Sequence, residues 1–164
     1  MSDISDAIGR RGEAIFVVLV TKLHPGRGPM FRPQFLGDKW PVADFLVELE
    51  GARQQIPYFF VQVRSTRGGY TRGDRRLKVR ASAKEVAALA SYPAPTYLVG
   101  IDELQEVGYI VATTPDQVKP VTSLSIRFPI TPDNRKRLWD EVNAFWSKRR
   151  LPAFRSAFQD PAWR

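Results

Sequence analysis

Few side chains in this sequence can do chemistry, and their types narrow the choice. There is no cysteine and one histidine, His24, which excludes thiol catalysis, disulfide scaffolding and zinc sites built from Cys and His. Any metal must be oxygen-bound. Asp44 lies in an alternating run, residues 42–49, with Asp44, Leu46 and Glu48 on one face. Gln62-Val63-Arg64 closes a run of aromatic and β-branched residues. A period of two puts Gln62 and Arg64 on one face there and points Val61 and Val63 into the core. Glu13 follows Arg10 and Arg11 in an apolar N-terminal stretch. Each has a plain structural reading: Asp44 as a strand-edge acid paired with Arg64, Glu13 as a solvated helix charge. Asp38 and Glu48 are further acids near Asp44, Glu48 towards the far, exposed end of the run. His24, in a Pro/Gly loop with no Ser or Cys partner implied, reads as a surface residue.

Positive charge is concentrated in residues 64–84. Arg64, Arg67, Arg72, Arg75, Arg76, Lys78, Arg80 and Lys84 stand there against Asp74 alone, so seven of the net +8 charges fall in this segment. Interleaved with Gly68, Gly69, Tyr70 and Gly73, it reads as a mobile loop contacting phosphates, with Tyr70 able to stack on a base. The plain alternative is a solvated, disordered loop. A surplus of +8 at a sequence pI near 10.1 makes nucleic acid the first partner to consider. No helix-turn-helix, zinc finger or GxxxxGK[ST] loop is present.

These residues need elements to position them. The stretch from residue 2 to about 22 reads as a helix ended by His24-Pro25-Gly26, weakened by Gly9 and Gly12. Residues 25–33 read as a Pro/Gly-rich connection. The runs 42–49 and 58–64 are expected to pair as an antiparallel hairpin. Ser82-Ala83-Lys84-Glu85 carries a capping box opening a helix to about residue 91. The runs 96–101 and 108–113 form a second pair of strands. Leu138, Val142 and Phe145, with Trp139 and Trp146 alongside, mark an amphipathic helix over 131–150 capped at Thr131-Pro132-Asp133.

With 164 residues, one domain spanning 1–164 is expected, its tail 151–164 packing back through Phe154, Phe158 and Trp163. The N-terminus shows no basic leader or cleavage site, and its apolar run is too short to span a bilayer, so a cytoplasmic protein with no membrane partner is expected.

The order of helix with Glu13, strand with Asp44, strand with Gln62-Val63-Arg64, helix, further strands and helix resembles the PD-(D/E)XK nuclease superfamily. The matching pieces are Gly9-Arg10-Arg11-Gly12-Glu13, Val42-Ala43-Asp44-Phe45 and Val61-Gln62-Val63-Arg64-Ser65-Thr66. They are also similar to a prokaryotic domain family grouped with those nucleases, which has a G-x-x-G-E helix, a D strand and a QxK-type strand. The resemblance spans roughly residues 5–145. It implies an α/β, restriction-endonuclease-like core, with an N-terminal helix and a central mixed four- to five-stranded sheet flanked by helices. It further implies Mg²⁺ or Mn²⁺ held by Asp44 and Gln62 with Glu13 in support, and hydrolysis of DNA, ahead of RNA, in defence, restriction or repair. Arg67, Tyr70, Arg72, Arg75, Arg76, Lys78 and Arg80 would then bind the nucleic acid. Two residues depart from the usual pattern: Gln62 contributes a neutral oxygen, and Arg64 stands in place of lysine. A guanidinium stays protonated, so it can clamp a phosphate but cannot act as a general base. A catalytically inactive nucleic-acid binder and a protein-interaction module are the alternatives, and a homodimer is the form that would cut both strands.

Overall fold

The computed structural model describes residues 2–53, 56–73, 75–150 and 152–163, without the side chains of Ser2, Gln117 and Trp163. Among the described residues three α-helices, α1 (Ser2–Thr21), α2 (Ala83–Ala90) and α3 (Pro132–Lys148), flank one five-stranded sheet. Its strands are β1 (Phe31–Phe35), β2 (Phe45–Leu49), β3 (Tyr58–Thr66), β4 (Thr96–Asp102) and β5 (Val107–Ala112), and spatial order follows chain order. Neighbours are antiparallel except β3 and β4, which are parallel and joined by the crossover containing α2. The fold is thus α/β with a mixed open sheet, and both expected strand pairs form.

Apolar residues on both faces of β3 and β4 explain why the sheet is covered on both sides. Phe59, Val61, Val63, Val99 and Ile101 meet Phe16 and Val20 of α1 and Leu138 and Val142 of α3. On the opposite face Phe60 meets Leu89, while Leu98 packs with Leu77, Val79 and Val86. Between α1 and α3 the buried guanidinium of Arg135 donates to the carbonyl of Leu19 at 2.9 Å. Both later helices are capped as their sequences specify: Ser82 and Glu85 close a full capping box, and Thr131 accepts from Asn134 N–H.

Three expectations need correction. Residues 31–35 form a strand rather than a connection, because β1 is an edge strand, where the donor missing at Pro33 is tolerated. The basic segment is not a loose loop. Bridges Tyr70↔Leu77, Leu77↔Leu124 and Ala81↔Val121 tie it down, and Leu77, Val79 and Ala81 are buried beneath it. In the tail, Phe154 and Phe158 are 91% and 98% exposed instead of docked. Trp163, the third aromatic expected to dock, has its side chain outside the described residues. No helix among the described residues is long and apolar enough to cross a membrane.

Candidate functional site

The site forms where β2 begins beside the middle of β3. Asp44 immediately precedes β2 and still pairs through its backbone, donating to Val61 and accepting from Leu36, both at 2.9 Å. Its carboxylate Oδ2 accepts the N–H of Val63 at 2.6 Å. The side chain thereby takes the place of the next strand carbonyl, and β3 continues past it paired only with β4. Gln62 precedes Val63, is 2% exposed, and its Oε1 has no hydrogen-bond partner among the described residues. A buried amide oxygen left without a donor costs about 1–3 kcal/mol.

Glu13 reaches the site because α1 packs unusually close to β3. A Cβ on Gly12 would lie 2.5 Å from Cβ of Ser65, and Ser65 Oγ donates to the carbonyl of Ile8 at 2.8 Å. Only glycine at position 12 permits this approach, which brings the next residue, Glu13, into electrostatic contact with Asp44. Burial, followed by the charges of Asp44 and Asp38, raises the Glu13 pKa. Burial also raises that of Asp44, opposed by the Val63 N–H and by Arg64. Asp38, on the loop between β1 and β2, acts on both acids. Glu48 does not belong to the site: it pairs with Arg32 at 3.5 Å.

Arg64 shares the α2 face with Gln62, and its guanidinium is held by Glu85 at 2.5 Å. The salt bridge considered between Arg64 and Asp44 is therefore made to Glu85 instead. Glu85 also closes the α2 capping box, and its pKa is lowered first by the Ser82 backbone N–H and further by Arg64. Sequence reasoning missed Glu85 as a site residue because its capping role fully explained it. Below Arg64 a cleft of about 380 Å³ runs between Ser5, Gly9, Ser65 and Arg67.

Of the expected nucleic-acid contacts, Arg72, Arg75, Lys78 and Arg80 are exposed. Lys78 and Arg80 alternate with the buried residues of the meander and so point outward. The other three are engaged within the fold. Arg67 pairs with Glu103 at 2.6 Å, and Glu103 also binds Arg11, which joins α1, β3 and the turn after β4. Arg76 donates to Ser123 Oγ at 2.9 Å and to the Ser123 carbonyl at 3.0 Å. Tyr70 packs edge-on against Tyr109, with their hydroxyls 3.0 Å apart.

Among the described residues, no three His, Cys, Asp or Glu side chains converge to hold a metal by themselves. The unpaired Gln62 oxygen and the raised acids Asp44 and Glu13 are nevertheless the kind of donors a hard cation takes, with few carboxylates and several waters. No family model, curated protein or solved structure matches the chain.

Proposed function

We propose that this is a cytoplasmic nucleic-acid-binding protein of the PD-(D/E)XK type, with a restriction-endonuclease-like core, that hydrolyses phosphodiesters with Mg²⁺ or Mn²⁺. The buried Gln62, whose Oε1 is unpaired among the described residues and which directly precedes the Val63 N–H that Asp44 accepts, carries this reading. Glu13, Asp38 and Glu85 lie within electrostatic reach of Asp44, a gathering of negative charge in a chain of net charge +8. When bound, the cation would polarise the phosphate and lower the pKa of an attacking water.

The protein's own residues bind and orient. Asp44 and Gln62 offer the inner oxygens, and Glu13 supports them directly or through water. Arg64, steadied by Glu85, clamps an oxygen of the scissile phosphate. Arg72, Arg75, Lys78 and Arg80 hold flanking phosphates, with DNA the favoured polymer.

One observation favours a second reading, a binding protein without catalysis: the cation at position 64 is an arginine already engaged by Glu85. Cleavage of plasmid, linear and single-stranded substrates with Mg²⁺ or Mn²⁺ tests both. The wild type should cut and Asp44→Asn, which keeps an acceptor for Val63, should not. Cutting by Arg64→Lys alone would make the natural protein a binding form. Neither cleavage nor salt-sensitive binding by any of them would overturn both readings.

A further inference from the structure

On the α2 face of β3, Phe60, Gln62 and Arg64 follow one another at two-residue spacing. The Phe60 ring packs on Tyr92 with centroids 4.5 Å apart and planes at 32°. The Tyr92 hydroxyl accepts the indole N–H of Trp40 at 2.9 Å. One ring contact and one hydrogen bond thus lead from Phe60, two residues before Gln62, out to Trp40.

The chain path gives the same location independently. Trp40 lies on the loop between β1 and β2, two residues after Asp38, whose charge acts on Glu13 and Asp44. It precedes Asp44 by four residues, a stretch that spans at most about 14 Å. Trp40 is 43% exposed and Lys39 beside it is exposed. Among the described residues no aromatic ring or guanidinium stacks on Trp40. Its one polar atom is tied to Tyr92, so the ring is held in place with apolar surface open to solvent. Tyr70, the aromatic residue of the basic segment, is already packed against Tyr109.

We propose that Trp40 is a stacking platform for an unpaired base of the nucleic acid whose backbone crosses the acidic site, with Lys39 on the adjoining phosphate. The preferred ligand is then a single strand or an opened end rather than intact duplex. This rests on the nucleic-acid reading above and adds to it the form of the polymer. Every base has a face to stack, so the platform selects unpaired bases without selecting sequence.

Fluorescence anisotropy with labelled oligothymidylate and a blunt duplex, in EDTA to prevent cleavage, tests the inference. Trp40→Ala should weaken oligothymidylate binding roughly 5- to 150-fold, the range that stacking of one base supplies, and leave duplex binding unchanged. Trp40→Phe should keep most of the affinity. Equal loss on both probes, or no loss on either, overturns the platform while leaving the nucleic-acid reading intact. If the wild type binds neither probe in a salt-sensitive way, the underlying reading falls and the platform with it.

Discussion

Burial works against the charge of Asp44, and the balance can be measured. Because burial raises its pKa in the fold, the folded state binds its proton more tightly than the unfolded chain, so ionised Asp44 lowers stability. That penalty is absent below the unfolded value of 3.8 and is complete once pH exceeds the raised folded value. Glu13 adds to it in the same direction. Asp44→Asn should therefore raise the Tm by a few degrees near neutral pH, with the gain vanishing below about pH 4. Thermal melts across pH decide this, and a destabilised variant at neutral pH would contradict it. Mn²⁺ should narrow the gap by stabilising the wild type alone. Glu85→Gln, whose amide can still cap α2, should lower the Tm slightly near neutral pH, since the lowered pKa means that ionised Glu85 stabilises the fold, and should impair cleavage, because Arg64 loses its ionic partner. Gln62 and Arg64 were legible as a pair from strand periodicity alone. Glu85 and Trp40 were not, since a helix cap and a loop aromatic each have an ordinary explanation until the fold brings them beside the site.

At the scale of elements, the two glycines of α1 have opposite roles. At Gly12 an added Cβ meets Ser65 at 2.5 Å, whereas at Gly9 it meets nothing within 4 Å. Gly12→Ala should destabilise by about 1–3 kcal/mol through overpacking, and Ser65→Gly in the same chain should restore part of the loss. Gly9→Ala should stabilise by up to about 1 kcal/mol through helix propensity, and chemical denaturation reads both. A neutral Gly12→Ala would mean that α1 does not need its close approach to β3. Sequence periodicity located the hairpin of β2 and β3 and the helices, because their apolar spacing is strong. It missed β1, where Pro33 reads as a breaker unless the strand is known to lie at an edge. It also misjudged residues 77–81, whose alternation of Leu77, Val79 and Ala81 with Lys78 and Arg80 is a strand-like signal obscured by the surrounding charge and glycine.

Across the whole molecule, charge is divided between the recessed acids and an outward basic surface. If Lys78 and Arg80 each neutralise one phosphate, replacing both with alanine should reduce the slope of log affinity against log salt by about 1.8 on duplex and about 1.4 on single strands. Binding should weaken evenly across sequences. An unchanged slope in a salt titration would place the polymer elsewhere. The strand order β1-β2-β3-β4-β5 has a separate consequence during synthesis. Each strand after the first finds a partner already made as it leaves the ribosome, so the sheet can extend one strand at a time without rearrangement. The helix that seals Leu138 and Val142 against Val61 and Val99 is made after every strand. For the seconds needed to translate α3 at about 5–20 residues per second, the part of that apolar face not under α1 stays uncovered, and there a chaperone would find its binding surface.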